Sequence, residues 1–211
     1  MPAGVSALQD VPDPVLLSAG WRHENLKVMS TVRALLVVAA GLFAILTPVT
    51  EFIGQTGGGS VIVVETSKGT FEFETFPDEA PKTVAHVVDL VKQGFYDGQR
   101  FHRVQPGFVI QWGDPQSRDL AKEADWGRGA EASSGTPIGV AEISKERTHT
   151  TGAVGVAHLG SPAAADSQIY VTLADRADLD GRYAVFGRVL SGGDVPGRIQ
   201  RGDTITRMYV K

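Results

Sequence analysis

Apolar and acidic residues alternate strictly at Phe71, Glu72, Phe73 and Glu74. A period of two sends the rings to one face of a strand and the carboxylates to the other. The run "VIVVE" lies just upstream, and "TSKG" between the two supplies a turn, so a β-hairpin is expected here. More β-rich runs recur at Phe108–Trp112, Gly152–Ala157, Gln168–Leu173, Tyr183–Val189 and Ile205–Val210. Such spacing predicts an antiparallel barrel or sandwich. One segment changes period. In "APKTVAHVVDLVKQG", Val84, Val87, Val88 and Val91 fall on one helical face, with Pro81 suited to the first turn and Gly94 to the stop. A second, shorter helix is expected in "GGDVPGRIQRG", where Asp194 can cap and Pro196 fits a first turn. Ser117 to Pro137, rich in Gly and charge, reads as a long surface loop.

The N-terminal quarter has another character. Residues 1–33 show no sustained period and read as a disordered extension, and Met29 opens a stretch with the usual shape of a signal-peptide start. From Ala34 to Thr50 there is no charge, while Lys27 and Arg33 precede the run and Glu51 follows it. Residues 34–53 therefore read as an apolar helix that is either a signal peptide or a membrane anchor. A spanning helix needs ~20 apolar residues, which this run reaches only if Phe52 and Ile53 are counted across Glu51. Residues 54–59 form a Gly-rich linker, and residues 60–211 form the folded domain.

Composition narrows the chemistry. A net charge of -4 argues against a nucleic-acid partner, because counterion release needs clustered Lys and Arg. With no cysteine, disulfides, thiol catalysis and thiolate metal sites are excluded. The five histidines, His23, His86, His102, His149 and His158, show no ligand spacing, and neither a nucleophile-elbow nor a phosphate-loop pattern occurs. No metal and no cofactor is expected. Arg201–Asp203 spells RGD, a tripeptide common by chance, and carries no role.

One stretch brings a cation and an amide together among large apolar groups: "FYDGQRFHRVQPGFVIQWGDP". With "TGAVGVA", "DSQIYVTL" and "LDGRYAVFGRV", in this order, it resembles the cyclophilin family of peptidyl-prolyl isomerases, bacterial members especially, over nearly all of residues 60–211. The resemblance implies a mainly β fold, a closed eight-stranded antiparallel barrel capped by two helices, with a substrate groove on its outer face. It also implies Arg103, Phe108 and Gln111 as catalytic residues. Val109, Ala157, His158, Gln168, Tyr170, Leu179 and Tyr183 match substrate-binding positions. Outside that context Arg103 reads as half of a surface salt bridge and Gln111 as an ordinary strand residue.

The implied chemistry fits these residue types. Rotation about an X–Pro bond breaks amide resonance against a barrier of ~18–20 kcal/mol and needs neither nucleophile nor cofactor. In the twisted amide the proline nitrogen regains its lone pair, so a fixed cation donating a hydrogen bond there favours that state over both planar ones. Arg is planar and permanently charged, which suits the task better than Lys.

The departures are specific. Asp178 stands where many members carry Trp, Tyr183 where they carry His, His158 replaces an Asn, and Tyr170 replaces the pocket Phe. Trp112 occupies a position that is Gly in the family and either narrows the groove or points away and packs under the long loop. The expected function is a monomeric prolyl isomerase acting on Pro-containing clients among exported or membrane proteins. It would sit in the bacterial cell envelope, anchored through residues 34–53 or released to the periplasm after cleavage. The alternative is a binding module for Pro-containing segments with little turnover.

Overall fold

A computed structural model describes residues 58–211 of the chain. The N-terminal extension, the apolar segment and most of the linker lie outside the described residues. Among those described, no helix is long and apolar enough to cross a membrane.

The expected hairpin is present as β1 (Val61–Thr66) and β2 (Gly69–Thr75), paired from Val61↔Glu74 to Thr66↔Gly69. Gly69 takes a φ of 125°, which L side chains rarely adopt, and this lets the turn close. Phe71 and Phe73 are fully buried, as the alternation requires. The helix follows as α1 (Pro81–Lys92), with Val84, Val87, Val88 and Val91 buried against the sheet. Its first turn has no local side-chain cap. Instead the Glu142 carboxylate, distant in sequence, accepts from Lys82 N at 3.0 Å and Thr83 N at 2.8 Å. A carboxylate there also suits the positive end of the helix dipole.

The remaining strands are β3 (Arg103–Gln105), β4 (Val109–Trp112), β5 (Ala153–Val156), β6 (Ile169–Thr172), β7 (Val185–Ser191) and β8 (Ile205–Val210). All pair antiparallel in one sheet of order β3-β4-β6-β5-β7-β2-β1-β8. The short β3 was not anticipated from sequence, because three residues are too few to show a period.

Two expectations need correction. The sheet is open, with no ladder joining its edges β3 and β8. Only the bridge Arg100↔Thr204 and irregular bonds such as Ile205 N to Gln99 O (2.8 Å) and Phe101 N to Asp203 O (3.0 Å) span the seam. Gly98, at φ 75°, turns the chain just before the seam, so no regular strand builds up there. The second helix is likewise reduced to one 3₁₀ turn, Pro196–Arg198. Gly197 within the turn and glycines at 192, 193 and 202 around it leave too few helix-forming residues to propagate further.

The interior is filled by β-strand residues of alternating direction, among them Ile62, Phe71, Phe73, Ile110, Val154, Phe186 and Ile205. Trp112 joins them. It is fully buried, meets Phe71 and Phe101 edge-on at centroid distances of 6.2 and 5.3 Å, and its indole N–H points at Met208 Sδ at 3.3 Å. It therefore points away from the groove, into the core rather than under the loop, and does not line the cleft.

Candidate functional site

Alternation along β4 sends Ile110 and Trp112 inward and Val109 and Gln111 outward. The outward residues start a second apolar cluster, separate from the core. Val109, Tyr170 and Leu179 are buried there, with Phe108, Ala157 and Tyr183 packed against them. A cleft of about 890 Å³ opens over this cluster. All ten residues expected from sequence line it, although they come from β3, β4, β6, the 3₁₀ turn Ala177–Leu179 and intervening loops.

Arg103 and Gln111 face each other directly across the β3–β4 ladder. Arg103 Nη1 donates to Gln111 Oε1 at 3.2 Å and Nη2 donates to Gln105 Oε1 at 2.8 Å, which fixes the guanidinium while leaving other N–H donors for a ligand. Gln111 is only 7% exposed and donates in turn to Gln168 Oε1 at 2.8 Å. Gln168 donates to Ala132 O at 2.8 Å. The cation is thus anchored through a chain of amides to the long loop.

Phe108 forms one wall between two guanidinium groups. Arg103 lies 5.2 Å from the ring centroid and Arg176 4.0 Å. Arg176 is held there by a two-point ion pair with Asp178, at 2.8 Å for each contact. The hydrogen bonds from Arg176 keep the exposed Asp178 carboxyl below its usual range. Asp178 therefore holds an arginine over Phe108. Opposite, His158 stacks on Tyr183 at 4.6 Å and its Nε2 meets Arg182 O at 3.0 Å.

Sequence reasoning missed several lining residues. The long loop, read as mere surface, supplies Trp126, Gly127 and Arg128 to the cleft and is latched by buried Asp114 and Asp166. A lone Trp in a Gly-rich, charged segment was the available signal. His102 also lines the cleft, yet it is 6% exposed, and among the described residues neither ring nitrogen meets a partner in good hydrogen-bond geometry, the Gln168 side chain lying close by.

Burial pushes His102 down to about 4, the nearby Asp114 carboxylate and the Gln168 side chain opposing this while Arg103 and Arg201 reinforce it. Unfolding frees the ring to take up a proton below its ordinary 6.5. The stability linked to His102 is therefore complete above pH ~6.5 and is lost as pH falls towards ~4, by roughly 3 kcal/mol. Urea unfolding at pH 7 and pH 4.5 tests this. The drop between the two should shrink in His102→Gln, and equal drops in variant and parent would refute it.

The geometry alone defines a class of site: an apolar cluster on the floor of an open cleft, with a hydrogen-bond-donating cation held beside it. Comparison with known proteins gives the class its family. The model of the cyclophilin type peptidyl-prolyl cis-trans isomerase/CLD family matches residues 61–210. A Brucella abortus protein named "Probable peptidyl-prolyl cis-trans isomerase" is 34% identical over 183 residues, covering 87% of this chain and 92% of its own. Peptidyl-prolyl cis-trans isomerase ppi1 of Schizosaccharomyces pombe is 39% identical over 132 residues, 62% of this chain and 79% of its own. The crystal structure of a Cryptosporidium parvum cyclophilin type peptidyl-prolyl cis-trans isomerase aligns with a TM-score of 0.60 at 24% identity. That alignment spans 72% of this chain and 97% of the other, a likeness of fold. The chain belongs to the cyclophilin-type peptidyl-prolyl cis-trans isomerases, and its activity is the cis-trans isomerisation of X–Pro peptide bonds.

Proposed function

We propose that the groove takes Pro-containing segments of polypeptide clients, with the proline ring seated on Val109, Tyr170 and Leu179 against Phe108. The observation that carries this reading is the guanidinium of Arg103, held by Gln111 and Gln105 beside that pocket. Gripping the ring fixes the C-terminal side of the X–Pro bond while the acyl side rotates. Arg103 then donates to the proline nitrogen as its lone pair returns, stabilising the twisted amide without any covalent step. Gln111 orients Arg103 and offers its amide to substrate backbone, and Ala157, His158, Gln168 and Tyr183 border the acyl side. The solved structure of the Cryptosporidium parvum relative in the presence of the dipeptide Ala-Pro supports a proline-containing ligand. A protease-coupled or NMR exchange assay on an X–Pro peptide, with the full chain in mild detergent, tests the reading. Binding without acceleration would leave only a module for Pro-containing segments.

The clients we propose are exported or membrane proteins, met in the cell envelope. Lys27 and Arg33 before the apolar residues 34–53, with Glu51 after most of them, favour a cytoplasmic N-terminus and a translocated isomerase domain. Alkaline extraction of membranes should separate an anchored form from a cleaved one. Protease added to cells with a permeabilised outer layer should digest the domain. Protection until the inner membrane is lysed would refute export.

A further inference from the structure

We infer that His149 is a positioning residue of the isomerase site, fixing the floor and one wall of the ring pocket together through a Tyr170–His149–Asp180 relay. The inference rests on the pocket reading above.

His149 is not among the residues lining the cleft, and its side chain is fully buried behind it. Its Nδ1 lies 2.7 Å from Asp180 Oδ1, and its Nε2 lies 2.8 Å from Tyr170 Oη. With the Asp180 carboxylate taking the Nδ1 proton, Nε2 is left to accept the Tyr170 O–H. The two rings lie nearly parallel, 15° apart with centroids at 6.0 Å. Space for this arrangement comes from Gly155 on β5, where an added Cβ would stand 2.4 Å from both Tyr170 Cζ and Oη. Gly155, Tyr170, His149 and Asp180 thus form a matched set, in which a hydroxyl is threaded past β5 to a partner beyond it.

The same histidine ties the neighbouring wall. Its backbone N donates to Asp180 Oδ1 at 2.8 Å, and its carbonyl accepts from Arg176 N at 2.7 Å. These two contacts bracket the turn Ala177–Leu179, which carries the pocket residue Leu179. A phenyl ring in place of Tyr170 would lack this anchor, whereas the phenol is held at its far end. A site that grips one small ring depends on walls placed to within a fraction of an ångström.

The experiment measures kcat and KM separately on an X–Pro peptide with the full chain. His149→Phe keeps an aromatic ring, somewhat larger than the imidazole, but removes the ring nitrogens that the Tyr170 hydroxyl and Asp180 meet. We expect KM to rise about tenfold with kcat little changed, the scale of one buried hydrogen bond lost. In a chain that also carries Tyr170→Phe, the same substitution should cost at most about a third as much, because no hydroxyl remains to be held. Equal cost in both backgrounds, or no cost in the parent, would overturn the inference. Should His149→Phe fail to fold, Asp180→Ala serves instead, since that side chain is 30% exposed. It should raise KM about threefold, and Asp180→Asn, which can still accept the Nδ1 proton, should restore it. An unchanged KM in Asp180→Ala overturns the relay. If Arg103→Ala abolishes the rate while these variants leave KM alone, only this inference fails; if Arg103→Ala changes nothing, the groove reading itself has failed.

Discussion

Arg103→Ala is expected to slow isomerisation by ~10²-fold or more, the usual consequence of deleting a preorganised donor aimed at developing charge. The fold should survive, because Arg103 is exposed on the short edge strand β3 and its partners Gln105 and Gln111 are neutral amides, not buried charges left without a counterion. Arg103→Lys should recover only part of the loss. An ammonium keeps the charge but cannot span Gln111 and Gln105 with one planar group while still presenting a donor to the proline nitrogen. Rates on an X–Pro peptide, with melting temperatures measured alongside, separate the two effects. A rate for Arg103→Ala equal to that of the parent would end the mechanism, whatever the stability.

Trp112→Ala should do the reverse. The indole is fully buried among Phe71, Phe101 and Met208, so its removal leaves a large cavity and should cost about 3–5 kcal/mol. For a domain of this size that corresponds to a fall in melting temperature of roughly 10 °C or more. Isomerisation should stay near the parent rate below the new transition, since β4 turns Trp112 inward and Gln111 outward. Calorimetry and a low-temperature rate settle the point. Lost activity with an unchanged melting temperature would mean that the indole serves the groove after all.

Tyr170 and Asp178 each bring a polar group to the rim of the apolar cluster that a second residue takes up. The Tyr170 hydroxyl is absorbed by His149, which needs Gly155 to leave a passage. Asp178 recruits Arg176, which covers Phe108 at 4.0 Å. The Tyr170 hydroxyl thus meets a partner 21 positions away, whereas Asp178 pairs with a residue two positions before it.

Local pattern was enough for the elements with a clear period. The alternation at Phe71–Glu74 and the valine spacing of α1 follow from side-chain geometry within a few residues, so the hairpin and helix could be read directly. That the ten named residues would share one cleft was legible for another reason: they follow the order of a family's motifs, and strand alternation keeps Val109 and Gln111 facing outward. What remained required the folded chain, because it depends on residues distant in sequence. Trp112 could be placed only once β4 lay between β3 and β6, which set the face that is core. The open seam at Gly98–Phe101, the Glu142 cap on α1 and the loop latched over the cleft by Asp114 and Asp166 are likewise long-range contacts. Periodicity reports which way a side chain faces relative to its neighbours in the chain. Which partner it then meets is decided only when strands far apart in sequence are brought into register.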